Sequence, residues 1–222
     1  MFTKKIVTFA SLAVASSTVF AEVGDISIGV GAGLTQGTGF EIGYEVSENV
    51  TVRAVSYSGK LSRTESLDDI SYAMTIKTET PGLMVDFYPS EGRSFRLTAG
   101  AVDNGNGLSA TAAAAGNYDI GGNTYTAAEV GSLKSEIAFS GITPYVGLGY
   151  QMHATKQLSI DFDAGMLISG SPVVTMTADG NLADADDATF IAELEKERKG
   201  LEGDLSSFRY LPMAKIALTY KF

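Results

Sequence analysis

Apolar and polar positions alternate along most of this chain after its first twenty residues. Ile26, Ile28, Val30, Ala32 and Leu34 share one parity, and Asp25, Ser27, Gly29, Gly31 and Gly33 share the other. Phe40, Ile42, Tyr44 and Val46 oppose Glu41, Gly43 and Glu45, and after a short turn at 47–49 Val50, Val52 and Ala54 oppose Thr51, Arg53 and Val55. Side chains of a strand point alternately to its two faces, so each segment predicts a strand with one apolar and one small or polar face. A fourth strand is expected from about Ile70 to Tyr88. Its apolar parity switches from Tyr72, Met74 and Ile76 to Leu83, Val85 and Phe87, so a break or bulge is expected at Pro81-Gly82.

The pattern resumes with Phe95, Leu97, Ala99 and Ala101, opposite Arg96, Thr98 and Gly100. It continues with Ile142, Pro144, Val146, Leu148 and Tyr150, then Leu158, Ile160, Phe162, Ala164 and Met166. The last strand runs from Phe208 to Phe222, with Tyr210, Pro212, Ala214, Ile216, Leu218, Tyr220 and Phe222 in one register. Eight strands result. Short turns are expected at 47–49, 89–93 and 152–157, and longer loops at 61–69, 103–136 and 169–207, with 35–38 a short exception. Within the second long loop, Gly121-Gly122 is a hairpin signal. In the third, Val174, Met176 and Ala178 extend the seventh strand. Asp186-Asp187 then caps a helix near 187–203, with Phe190, Ile191, Leu194 and Leu201 on one side and Glu195 and Lys199 paired on its surface. Packing over the barrel mouth or binding a partner would each bury that side.

The two ends of the chain suggest its address. Lys4 and Lys5, the apolar run Ile6 to Val14, and Val19-Phe20-Ala21 form the three parts of a secretory signal, with cleavage expected after Ala21. The apolar run is shorter than the ~20 residues of a spanning helix. Residues 22–222 would then be a single barrel domain. Slight overall hydrophobicity without a long apolar run leaves a closed barrel as the way to cross a membrane. At the other end Lys215-x-Ala217-x-x-Tyr220-x-Phe222 resembles the assembly signal of outer-membrane barrels, with Ala217 where glycine is usual. The fold class expected is therefore all-β: an eight-stranded antiparallel outer-membrane barrel with long external loops, one carrying a short helix. A soluble barrel of lipocalin type would invert the faces.

Composition narrows the chemistry. There is no cysteine and one histidine, His153, so disulfides, thiolate metal sites and imidazole clusters are excluded. Without Lys4 and Lys5, 14 basic residues face 26 acidic ones, a net charge near −12 that speaks against nucleic acid as a partner. No cofactor, metal or enzyme activity is expected. Gly29-x-Gly31-x-Gly33 lacks the lysine and following helix of a phosphate loop. Asp184, Asp186 and Asp187 lack the spacing of a calcium loop. His153 falls in a turn, away from any serine relay.

Candidate function sits on the polar face. Glu41, Glu45, Asp86, Asp161 and Asp163 stand against Arg53, Arg96, Lys215 and Lys221. Two readings are open. An eight-stranded barrel is just wide enough to be filled by side chains, so these charges can form a paired structural interior. The function expected first is the other reading, in which the acidic excess lines a narrow passive path for small polar or cationic solutes; the alternative is a structural or surface-interaction barrel with no useful pore. Expected partners are outer-membrane lipid and lipopolysaccharide, the barrel-assembly machinery and small cationic solutes, with the chain acting as a monomer.

Several segments resemble the small outer-membrane proteins of the carbapenem-resistance-associated CarO family. They are Leu97 to Asp103, Tyr118 to Tyr125, Pro144 to Tyr150, Gly165 to Val174, and above all Ile191 to Lys199 followed by Phe208 to Pro212 and the last strand. The resemblance covers most of the chain and thins before residue 82. It implies an eight-stranded barrel with capped external loops, and uptake of small basic amino acids such as ornithine.

Overall fold

A computed structural model of the chain describes residues 22–67, 70–114, 116–139 and 141–222. The expected signal segment 1–21 lies outside the described residues. The strands are β1 (Ile26–Gly33), β2 (Gly37–Ser47), β3 (Val50–Leu67), β4 (Ile70–Glu79), β5 (Gly82–Phe87), β6 (Phe95–Asp103) and β7 (Gly107–Ala114). They continue with β8 (Asn117–Ile120), β9 (Asn123–Thr126), β10 (Ser132–Ala138), β11 (Ile142–His153), β12 (Leu158–Ile168), β13 (Val173–Ala178) and β14 (Tyr210–Lys221). Two short helices, α1 (Ala127–Val130) and α2 (Asn181–Asp184), and one longer helix, α3 (Ala188–Asp204), interrupt them.

Eight of these strands close on themselves, antiparallel throughout, in the order β1-β2-β3-β5-β6-β11-β12-β14, with β14 pairing back onto β1. Closure leaves no edge strand within the ring. Alternation puts one face of every strand outside. Phe40, Ile42, Tyr44 and Val46 on β2 remain 46–51% exposed, whereas Glu41 and Glu45 between them are 3% and 6% exposed. Charges inside and aliphatics outside is the reverse of a soluble barrel. The fold is that of a membrane-spanning barrel whose outer belt meets lipid.

The long connections differ from the sequence expectation. Residues 61–69 were expected as a loop, yet β3 runs on to Leu67 and pairs with β4 from Ser58↔Glu79 to Leu67↔Ile70. The polarity of Ser62, Arg63, Thr64 and Glu65 reflects a strand with water on both faces, not a break in the strand. β4 pairs with β7, β7 with β10, and β10 with β13, so the stretches 103–136 and 169–207 also contain paired strands. One side of the barrel wall thus rises past the ring as an open five-stranded sheet. The strand is interrupted at the expected Pro81-Gly82, where β4 gives way to β5. Its register against β3 is unbroken (Ser58↔Glu79, Val55↔Gly82), so the parity switch does not come from a bulge. It comes from the apolar side passing from the covered inward face of β4 to the outer face of β5. Proline has no N–H to offer the ladder, but its carbonyl still accepts from Asp103 N at 2.8 Å.

The sheet has two faces. The face that continues the lumen is apolar and is covered by the β8–β9 hairpin, α1, α2 and α3. Ala112, Tyr118, Ile120, Val130 and Phe190 form its buried core. The hairpin turns at Gly121 and Gly122, both with positive φ (63° and 101°), which the sequence signal anticipated. Asp187 caps α3 as expected, accepting from Phe190 N at 2.8 Å. The helix rests on β13 and the hairpin, burying Phe190 fully and leaving Ile191 45% exposed.

The filled lumen as candidate functional site

Inside the ring the inward side chains form two layers. The first lies in the middle and toward the end of the barrel that carries the chain termini. Its centre is Arg53 of β3. Arg53 Nε and Nη2 donate to the two oxygens of Asp86 on β5 at 2.8 and 3.0 Å, and Nη1 donates to Glu41 of β2 at 2.5 Å. Thr98 adds a 2.6 Å bond to Asp86, and Tyr57 a 2.7 Å bond to Glu41. Arg96 of β6 donates from Nη2 to both oxygens of Asp163 at 2.8 Å. It also stands 3.8 Å from both Asp86 and Asp161. Lys215 of β14 pairs with Glu41 and, at 3.1 Å, with Asp163.

Local sequence makes room for this packing. A Cβ at Gly149 would collide with Arg96 and Asp163, so glycine there lets the guanidinium lie against the wall. Asp161 is held by Thr219 at 2.6 Å and Ser159 at 3.3 Å. Each of the five lumen carboxylates therefore has donors from the protein itself. That is the condition for burying a charge, since an unpaired one costs several kcal/mol on the order of its desolvation.

Eight of the nine charges singled out from sequence are brought together here; Lys221 is not. It sits half-buried at the rim of β14, 3.2 Å from Asp25. Sequence reasoning missed Arg93. It lies in the turn after β5, where alternation has no meaning, yet it is only 5% exposed. Its φ of 48° turns the chain so that the guanidinium enters the lumen. There it pairs with Glu45, donates from Nη2 to Thr51 Oγ1 at 2.8 Å, and stacks 3.8 Å over the Tyr88 ring. A turn arginine carries no register signal. The one hint was arithmetic: five inward acids faced four expected bases.

The second layer closes the lumen toward the external sheet. Val55, Tyr57, Met84, Val102, Tyr145, Leu167 and Met213 pack together, each at most 8% exposed, with Leu211 against them. Tyr145 lies across Gly147 and Gly165, where any Cβ would strike its ring. Between the layers, beside Gln36, Tyr57 and Lys215, only about 10 Å³ is open. That is at the lower limit for one water molecule. A larger cavity of about 40 Å³ lies toward the terminal end, bordered by Glu45, Arg93, His153, Asp161 and Lys221.

The external sheet carries its own charges. Arg198 of α3 bonds Glu195 at 2.7 and 2.9 Å, Glu202 at 2.7 Å, and the carbonyl of Val174 on β13 at 3.2 Å. The hydrogen bond from Arg198 holds the Glu195 carboxyl down to about 2. The expected Glu195–Lys199 pair is present at 3.4 Å.

No family model matches the chain, and no curated protein does. Among solved structures it is similar to CarO2 of Acinetobacter baumannii, at 18% identity and a TM-score of 0.64. That match covers 91% of this chain and all of CarO2. CarO of the same organism matches at 16% identity and a TM-score of 0.60, over 88% of this chain and 97% of CarO. At such identities the likeness is one of fold: the chain shares the eight-stranded barrel of the CarO proteins along nearly its whole described length.

Proposed function

We propose that the protein is an outer-membrane barrel whose lumen is a filled, ion-paired core, and whose working surface is the external sheet with its helix. One observation carries this reading. Two successive layers fill the lumen, and every carboxylate that could attract a cation is held by protein donors. A solute would have to displace charge-assisted bonds and then cross the apolar layer without water, which is costly for any charged group. Export by residues 1–21 and insertion by the assembly machinery, guided by Lys215, Tyr220 and Phe222, belong to the same reading. So does a chemistry without catalysis.

The direct test is conductance of the purified protein in planar bilayers. The filled-lumen reading expects no ion-selective steps above the lipid background, and steady cation-selective steps would overturn it. Such steps would favour the second reading, a narrow passive path for small polar or cationic solutes, basic amino acids among them. That reading has its own support in the cavity at the terminal end, bordered by Glu45 and Asp161. From there only the layer of Tyr145, Met213 and their neighbours separates the charges from the external side. Exchanging Asp161 and Asp163 for asparagine separates the two readings further: selectivity changes in a path, stability alone in a core.

A further inference from the structure

The outward face of the external sheet continues the lipid-facing side of the wall, because β3 keeps one register from Val52 and Ala54 to Lys60. Apolar character stops at the level of Phe40 and Ser56, which are paired across β2 and β3. Lys60 is four residues further along. At the rise of a tilted strand that is about 10 Å farther from the bilayer centre, within the headgroup layer. There the face turns polar, with Lys60, Ser62, Lys77, Thr75 and Ser109 in neighbouring registers.

Lys60 lies directly opposite Lys77 on β4. Like charges at opposed positions are destabilising unless something compensates them. Lys77 reaches Glu79 at 2.6 Å, and Glu136, also at the groove, is taken by Lys134 at 2.6 Å. Among the described residues Lys60 has no acidic partner. The two lysines border an open groove of about 690 Å³ whose lining includes Glu79, Gly107, Ser109 and Phe139. The groove sits where the wall bends between β4 and β5 and between β6 and β7, so it opens directly above the lipid belt.

We infer that this groove docks the phosphorylated headgroup of an outer-leaflet glycolipid, with the phosphate between Lys60 and Lys77. Continuity with the lipid-facing belt selects a membrane-anchored occupant, whose acyl chains can stay against Ile42 and Phe40 while the phosphate meets the lysines. Thr75 and Ser109, both lining the groove, supply hydroxyl donors for the remaining oxygens. The inference rests on the outer-membrane reading above but not on whether the lumen conducts.

The test uses the full mature chain, folded in detergent micelles, with native mass spectrometry to count bound lipid. The probes are bis-phosphorylated lipid A, the same lipid after removal of both phosphates, and inorganic phosphate. Wild-type protein is expected to retain lipid A and to bind the dephosphorylated lipid more weakly. Removing both charges as Lys60→Gln/Lys77→Gln should weaken lipid A binding by about thirty-fold, the effect of two charges near a membrane surface. Lys196→Gln, on α3, should leave it unchanged. Unchanged heat-modifiability on gels verifies that the double variant is folded. Equal retention of the two lipids, or equal binding by wild type and double variant, would overturn the inference. Inorganic phosphate competing as well as lipid A would overturn it too, by making the site one for a soluble anion.

Discussion

The lumen and the external sheet face the same problem, since each must cover the inward side of one continuous wall, and they solve it with opposite chemistry. The lumen is covered by its own opposing strands. Its centre is narrow, so charges reach one another across it, and Arg53, Arg96 and Lys215 can each touch carboxylates from several strands. The external sheet has no opposing wall. It needs added elements, and α3 with the β8–β9 hairpin covers it by apolar burial around Phe190. Closure thus permits a polar core that an open sheet could not satisfy. The difference teaches that the lumen charges have a structural use before any transport use is considered.

The largest expected effect comes from taking the centre out of the lumen network. Arg53→Ala would leave Glu41 and Asp86 short of their cation, at a cost of about 3–5 kcal/mol. Urea unfolding of the barrel in lipid vesicles measures it. Replacement by methionine together with Glu41→Gln and Asp86→Asn should recover most of the loss, because no uncompensated charge then stays buried. A single Arg53→Ala variant as stable as wild type would break the comparison, since it would make the network dispensable.

The counterpart in the external sheet is Phe190→Ala. Emptying that site should cost about 3–5 kcal/mol locally. The sharp expectation is where the loss appears. Hydrogen exchange should rise across α3, β8 and β13 while the eight ring strands keep their protection, as expected if the two regions open separately. Rising exchange in β1, β2 or β14 would show that the two covers are one cooperative unit.

These two residues also mark what sequence could and could not tell. Arg53 was legible because every ring strand has one face in lipid and one in the lumen, so parity alone assigns the side. The same logic found Glu41, Asp86, Arg96, Asp161, Asp163 and Lys215. It failed at Arg93, placed by a left-handed turn residue rather than by a strand. It failed too for β3 beyond Tyr57 and for β7 with its run of alanines, whereas β4 was legible as the first part of the expected fourth strand. Those strands meet water or small residues on one face, so their alternation is too shallow to read. The helix was visible through its cap at Asp187, but what it covers depends on strands that were not.

Smaller effects probe the helix alone. Asp187→Ala removes the acceptor for Phe190 N and should cost about 1 kcal/mol, read as increased exchange confined to the first turn of α3. Asp187→Asn or Asp187→Ser should restore most of it, since either side chain can accept the same bond. A loss as large as that of Phe190→Ala would mean that the cap organises the whole cover, not one turn.

The smallest expected effect is a pH response that belongs to the external sheet. Glu195 is held down to about 2, first by its hydrogen bond from Arg198, and Glu129 is lowered by the backbone N–H of Thr126. For a carboxylate whose folded value lies below its unfolded one, the stabilising contribution is complete above the unfolded value, near 4.3. It is lost as pH falls through the folded value. Acidifying from pH 5 to pH 2 should therefore loosen the contact of α3 with β13, because the same Arg198 also bonds the Val174 carbonyl. Both carboxylates are partly exposed to solvent, Glu195 with 45% of its side chain, so screening keeps the effect slight and added salt should diminish it. The check is an NMR titration of the Glu195 side chain in micelles, with Arg198→Gln as control. That variant should return Glu195 toward its ordinary midpoint and flatten the acid response of α3. A midpoint that ignores Arg198→Gln would show that the helix is held to the sheet by Phe190 and its apolar neighbours, with no measurable help from its charges.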